Sequence, residues 1–264
     1  MQVVRKWLAH PLTRGLDLDD PKTTALRRLI LAEKPFLQAI YLEWYRSIVA
    51  ALPDGAGMVL ELGSGPGFFA EVFPGVLTSE VFRCPDVAAV LDGQQLPLAD
   101  GSLRAIVMTN VLHHIPNVRC FLSEAERCLR PGGAIVMIEP WVTAWSRLVY
   151  TRLHHEPFDP DVQIWELPAG GPLSEANGAL PWILCQRDRT QLEGEFALLQ
   201  IANVTPCMPF SYLVSGGISM RNLAPAWSFN LWRALETAML SWMNQLGMFA
   251  KIVIVRREGT RGTR

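Results

Sequence analysis

The run Val59-Leu60-Glu61-Leu62-Gly63-Ser64-Gly65-Pro66-Gly67-Phe68 constrains this chain more than any other stretch. An apolar segment ends in an acid, and a glycine-rich turn follows at once. Phe69-Ala70-Glu71-Val72-Phe73 is then able to start a helix. Strand, tight loop and helix start form the layout of a ligand site in a doubly wound α/β sheet. Glycines at alternate positions let the backbone turn sharply and approach a ligand where a β-carbon would clash. Glu61 falls at the carboxyl end of the strand, where ligands of open α/β sheets bind.

The glycine spacing separates two readings. A dinucleotide loop follows G-x-G-x-x-G, and its third glycine would fall on Phe68. The order here is acid-x-G-x-G-x-G, through Glu61, Gly63, Gly65 and Gly67. Downstream, residues 75–81 read as a second strand with Glu80 near its end. Glu80 lies roughly 20 residues beyond the start of the loop, the spacing at which an acid meets ribose hydroxyls. Leu103–Leu112 is a strongly apolar fourth strand, followed by His113-His114. Asn117 suits a helix N-cap, and Phe121, Ala125, Cys128 and Leu129 recur at helical spacing. Arg130-Pro131-Gly132-Gly133 stops that helix, and residues 134–140 form the next strand, with Glu139 near its end.

These motifs resemble, in order, those of class I S-adenosylmethionine (SAM)-dependent methyltransferases of the methyltransferase-11 (UbiE-like) type. The acid-x-G-x-G-x-G loop is similar to their motif I. Asp92 through Ser102 is similar to their D-x-x-x-L-P-F-x-D-x-S run, and Leu129 through Gly133 to their L-R-P-G-G turn. The resemblance covers about residues 57–140. It implies SAM as cofactor, with Glu61, Gly63, Ser64, Gly65, Gly67, Glu80, Val81, Asp92, Gly93 and Asn110 as its contacts. In that family the acid matching Asp92 receives the adenine amino group. The implied fold is α/β: a Rossmann-like, seven-stranded, mainly parallel sheet in the order 3-2-1-4-5-7-6, with helices on both faces. An N-terminal helical segment and a cap formed by insertions complete it. The sequence departs from the family pattern in its short segments between the first two strands and between Glu80 and Asp92.

Around this core, residues 1–54 read as an N-terminal helical segment or lid. Residues 1–16 are expected to be irregular. Asp19-Asp20-Pro21 signals a helix start, and the helix runs to about Ala51, kinked or split at Pro35. Tyr41, Trp44 and Tyr45 on it either shield a cofactor or pack the core. Residues 55–140 form the cofactor-binding core, 187–206 a core helix and strand, and 248–264 the final strand and a basic tail. Two insertions remain, 141–186 and 207–247, both rich in Trp, Pro and Gly. Segments this long are rarely idle loops, and they are expected to cap the carboxyl edge of the sheet.

SAM carries an activated methyl group, so the protein must align a nucleophile, exclude water and, where needed, remove a proton. His113 and His114 at the fourth strand and Glu139 at the fifth are the candidates for that rim. One imidazole is expected to take a hydroxyl proton, or only to close the turn, with Glu139 orienting a His or the acceptor. His154-His155-Glu156 invites a metal reading, but adjacent histidines on a regular element point apart, and no metal is expected. Their other roles are contact with substrate or plain surface packing.

Half of the 264 residues are hydrophobic and the formal net charge is −1, which fits a folded core and offers no electrostatic footprint for nucleic acid. The five cysteines form no C-x-x-C pair, so reduced thiols and a cytoplasmic location are expected. No secretory signal is read at the N-terminus. The best membrane candidate, Thr237–Val255, holds Asn244, Gln245 and Lys251, and reads better as a helix followed by a strand. The expected partner is a small-molecule or lipid-like acceptor methylated at O or C. Two alternatives stay open, a non-catalytic SAM-fold binding protein and a dinucleotide-dependent oxidoreductase.

Overall fold

Strands β1 (Met58–Glu61), β2 (Leu77–Glu80), β3 (Ala89–Val90), β4 (Leu103–Thr109), β5 (Leu129–Pro140), β6 (Leu199–Cys207) and β7 (Phe249–Arg256) join one seven-stranded sheet. Its order is β3-β2-β1-β4-β5-β7-β6, as expected. β1 pairs in parallel with both β2 and β4, and β7 runs antiparallel between β5 and β6. The computed structural model describes residues 10–13, 19–153, 156–168, 170–171 and 173–258. His154, His155, most of the expected irregular start and the end of the basic tail lie outside the described residues.

Alternation along the strands builds two cores, because successive side chains of a strand point to opposite faces. Leu60, Ile106, Met108, Ile135 and Met137 pack on one face with Phe121, Leu122 and Ala125 of helix α4 (Val118–Cys128). Val59, Ala105, Val107, Val136 and Ile138 pack on the other with Leu37, Ile40 and Trp44. The latter three belong to helix α2 (Pro35–Val49). The N-terminal helical stretch is indeed split at Pro35, with α1 (Pro21–Ala32) capped by Asp20, whose side chain accepts from the Lys22 N–H at 2.9 Å. Asn117 caps α4 by accepting from the Cys120 N–H at 3.1 Å.

Several boundaries differ from those read in the sequence. β4 ends at Thr109, three residues before the expected Leu112, because Asn110 turns out of the strand with φ 59°. Leu112–His114 instead forms a turn of 3-10 helix. β5 begins at Leu129, so the Arg130–Gly133 turn lies inside the strand as a bulge, with Leu103 opposite Leu129 and Ala105 opposite Ala134. Between β1 and β2 there is one helical turn, α3 (Phe69–Val72), as the short spacing implied.

The first insertion carries α5 (Ala144–Leu153) and leads through helical turns at Leu180–Arg187 into α6 (Arg189–Glu195). The second carries α7 (Ser211–Ser215) and α8 (Phe229–Ala238). Residues 237–255 hold the end of α8, a 3-10 turn (Leu240–Trp242), one helical turn (Met243–Leu246) and then β7, and among the described residues no helix is long and apolar enough to cross a membrane. All five cysteines are free thiols.

Candidate functional site

A cavity of about 470 Å³ opens at the carboxyl ends of β1, β2 and β4. The glycine loop forms its floor. Gly63 has φ +67°, and a β-carbon there would meet Val111 Cγ2 at 2.6 Å, so the loop closes against the turn after β4 only with glycine. Ser64 ties the loop to β2: its N–H donates to Ser79 O at 2.8 Å, and its hydroxyl donates to Glu61 Oε2 at 2.7 Å. At Gly67 a β-carbon would collide with the Tyr45 hydroxyl, which also accepts from the Phe68 N–H at 3.3 Å. Helix α2 therefore rests directly on the loop. Tyr41 and Tyr45 line the cavity, whereas Trp44 stacks on Tyr212 in the core, 5.6 Å between centroids. Shielding and packing thus divide between neighbouring aromatics.

Two buried carboxylates face this loop. Glu80 Oε1 accepts from the Gly65 N–H at 2.8 Å, and Oε2 accepts from its own neighbour Val81 N–H at 3.0 Å. Burial pushes the Glu61 carboxyl up to about 7; the Ser64 hydroxyl opposes the rise and Glu80 adds to it. Burial also raises Glu80, against the two backbone N–H groups and Arg27. Asp92 is exposed at the cavity, with Oδ1 accepting from the Gln94 N–H at 2.8 Å. Asn110 borders the same space, and its side chain bonds Tyr41, whose hydroxyl burial pushes up to about 12.

The rim after β4 is a linked group of side chains. Glu139 Oε1 accepts from the Val111 and Leu112 N–H groups at 2.8 Å each, which pins the 3-10 turn. Its Oε2 lies 2.7 Å from His113 Nδ1. His114 Nδ1 lies 3.0 Å from the Glu175 carbonyl. The turn brings the two imidazoles to 4.3 Å between centroids. Glu156, from the first insertion, puts its carboxylate 3.6 Å from His113 Nε2 and 3.9 Å from His114 Nε2. Burial alone would lower His113, but Glu139 and then Glu156 outweigh it and hold the imidazole up to about 9. Burial and the neighbouring His113 push His114 down to about 4.

All the residues expected at the cofactor line this one cavity: Glu61, Gly63, Ser64, Gly65, Gly67, Glu80, Val81, Asp92, Gly93 and Asn110. His113 and His114 line it too, while Glu139 sits behind His113, fully buried. The sequence reading missed the meeting of Glu156 with the two histidines, since 42 positions separate it from His114. It also missed Tyr150, Tyr212 and Phe249, which line the cavity without any local motif.

Both insertions reach the cavity, the first through Glu156, Phe158 and Leu173 and the second through Tyr212, Ile218 and Ser219. The tryptophans expected in the cap do not line it. Trp165 is buried, donating to Asp188 Oδ2 at 2.8 Å beneath the Arg119 guanidinium. Trp145 donates to the Pro209 carbonyl at 2.8 Å, and Trp227 and Trp242 are 80% and 60% exposed. Large indoles here join insertion to core or face solvent, and smaller aromatics shape the cavity.

Residues 60–137 match the family model described as a methyltransferase domain. An uncharacterized methyltransferase of Mycobacterium sp. (strain JLS) is 33% identical over 97 residues, 31% of this chain and 38% of that protein. A demethylmenaquinone methyltransferase of Tropheryma whipplei (strain Twist) is 31% identical over 144 residues, 45% of this chain and 59% of that protein. The chain thus spans about four to six tenths of the length of these relatives. In fold, it is similar to a chain from the Haloferax volcanii complex of the Trm112 methyltransferase activator with a methyltransferase. That likeness has TM-score 0.51 at 15% identity and covers 93% of this chain and 100% of that one. A SAM-dependent methyltransferase from Thermotoga maritima gives TM-score 0.50 at 16% identity, over 82% of this chain and 89% of that one.

Proposed function

We propose that this chain, whose residues 60–137 match a methyltransferase domain, binds SAM along Gly63–Gly67 and methylates a small or amphipathic organic acceptor at O or C. The observation that carries the reading is the pair of buried carboxylates, Glu61 and Glu80, at the ends of β1 and β2 and bonded to the glycine loop. Buried acids favour a ligand that brings positive charge and hydroxyl donors. They oppose the pyrophosphate of a dinucleotide, which instead wants backbone N–H groups at a helix N-terminus. Here the following helix, α3, has only four residues.

The residues present fit the cofactor. Gly63 and Gly67 hold the backbone where β-carbons would clash, and Gly65, at φ +51°, leaves room beside Glu80. Glu80 would accept ribose hydroxyls and Asp92 the adenine amino group. Bound SAM would supply a methyl group on a sulfonium, so the protein need not create the electrophile.

The remaining task is to hold and deprotonate the acceptor. Tyr150, Phe158, Tyr212 and Phe249 give that side of the cavity an apolar wall, which suits an organic acceptor with few polar groups. His114 directs Nδ1 to the Glu175 carbonyl, so Nδ1 carries the hydrogen and Nε2 keeps a lone pair. His113, held as imidazolium between Glu139 and Glu156, is a donor at neutral pH. A hydroxyl acceptor between them would give its proton to His114 Nε2, and its oxygen would receive the methyl group that bound SAM supplies. The demethylmenaquinone methyltransferases among the relatives make a quinol the first acceptor to assay.

The test is equilibrium binding of SAM against NAD, followed by transfer of labelled methyl from SAM to a demethylmenaquinol-type acceptor and to a cell extract. SAM binding with label incorporation is the expected result. Preference for NAD, or SAM binding with no label transferred to any acceptor, overturns the reading.

A further inference from the structure

We propose that His113 Nε2, His114 Nε2 and Glu156 form a binding site for a divalent transition metal of the zinc class. The donor atoms of these three residues all lie within 4.8 Å of one another, on the wall of the same cavity as the glycine loop. Adjacent histidines ordinarily point apart on a regular element. The 3-10 turn Leu112–His114 instead turns both rings the same way.

What distinguishes the cluster from a chance meeting is the support behind each ring. A metal-binding imidazole typically gives its other nitrogen to a carboxylate or a backbone carbonyl, which fixes its tautomer and orientation. Both arrangements occur here. His113 Nδ1 is 2.7 Å from the Glu139 carboxylate, and His114 Nδ1 is 3.0 Å from the Glu175 carbonyl. Each ring is thereby left with Nε2 toward Glu156. Glu139 is itself fixed by the Val111 and Leu112 N–H groups, so the support does not drift.

The separations are close to those a metal needs. Ligands about 2.0–2.1 Å from a tetrahedral zinc lie roughly 3.3 Å apart. Glu156 is 3.6 Å from one Nε2 and 3.9 Å from the other, so small side-chain rotations close the shell. Two imidazoles and one carboxylate suit zinc, cobalt or iron in preference to magnesium or calcium, which choose oxygen. Three protein ligands also leave a coordination position for solvent or substrate.

A metal here changes what the rim does. A hydroxyl bound to it becomes more acidic, and His114 then acts as a ligand in place of a base and His113 in place of a donor. The site stands on geometry independent of methyl transfer, and the consequence for the acceptor rests on the reading above.

The experiment uses the full chain after dialysis against a chelator, titrated calorimetrically with Zn²⁺ and spectroscopically with Co²⁺. One equivalent should bind, with intense visible ligand-field bands of low-symmetry cobalt. His114→Ala and Glu156→Ala should each weaken binding at least tenfold and remove those bands, with SAM affinity retained. His113→Ala is a poorer choice because it leaves Glu139 buried without its partner. Replacing His154 and His155 together should leave the stoichiometric site in place. No binding by the wild type, binding unchanged in His114→Ala and Glu156→Ala, or binding lost with His154 and His155 would overturn the proposal. Loss of SAM binding with the metal site intact would count only against the methyl-transfer reading.

Discussion

Glu139 Oε2 lies 2.7 Å from His113 Nδ1, and both side chains are almost wholly excluded from solvent. The other oxygen of Glu139 accepts two backbone N–H groups from the turn that carries His113. One carboxylate therefore fixes both the backbone of the turn and the ring upon it. β5 supplies the acid and the 3-10 turn after β4 supplies the histidine, and the two strands are paired in parallel.

Glu139→Ala should destabilise the protein, because it strips partners from two N–H groups and from a buried imidazole. Each unsatisfied buried group costs about 1–3 kcal/mol, so a loss of about 3 kcal/mol or more is expected in urea unfolding. A loss under about 1 kcal/mol would mean that the turn holds its shape without the acid.

Gly65→Val should cut SAM affinity at least about tenfold while the fold remains. The side chain enters the space beside Glu80 Oε1, 3.7 Å from the position of the new β-carbon, and φ +51° suits no β-branched residue. Circular dichroism checks the fold and calorimetry the affinity. Undiminished affinity would move the cofactor off this loop.

Glu80→Ala and Asp92→Ala should each weaken SAM by about tenfold or more, from roughly 1–3 kcal/mol per unpaired ligand group. Glu80 also holds the Gly65 N–H, so its loss should be the larger of the two. Titration of both variants decides. If neither weakens binding, the short segment between Glu80 and Asp92 places the adenine elsewhere.

Glu61 should make the ligand-free protein less stable as pH rises. Its folded-state pKa, about 7, exceeds the ordinary 4.5 through burial. Between about pH 4.5 and 7 the folded state therefore holds a proton that the unfolded chain has released, and stability falls across that window. Glu61→Gln should flatten this part of the profile and raise stability at pH 8 by an amount on the order of 3–4 kcal/mol, at about 1.4 kcal/mol per pKa unit. Equal melting temperatures at pH 8 for wild type and variant would show that the buried charge is not strained.

Much of the sheet was legible because its signals are local. Val59–Glu61 with three glycines, the apolar strand after Leu103 and the final β-branched strand each announce themselves within ten residues. The sheet order came from the resemblance that these motifs carry together, since spacing alone does not order strands. Boundaries were less legible. Asn110 ends β4 by adopting a left-handed backbone, and the turn at Arg130–Gly133 is absorbed into β5 by pairing across the sheet. Pairing energy overrides the local turn signal there.

The sequence by itself determined the glycine loop, the acids at the ends of β1 and β2, and the placing of His113 and Glu139 at neighbouring strand ends. Each follows from short-range pattern and the fixed geometry of a parallel sheet. Only the tertiary structure decided that Tyr45 seals the loop at Gly67, that the tryptophans stand away from the cavity, and that Glu156 meets both histidines. The Tyr45–Gly67 and Glu156–histidine contacts join residues 22 to 43 positions apart in the chain. Their path is set by the sum of many packing contacts, and no local periodicity records it.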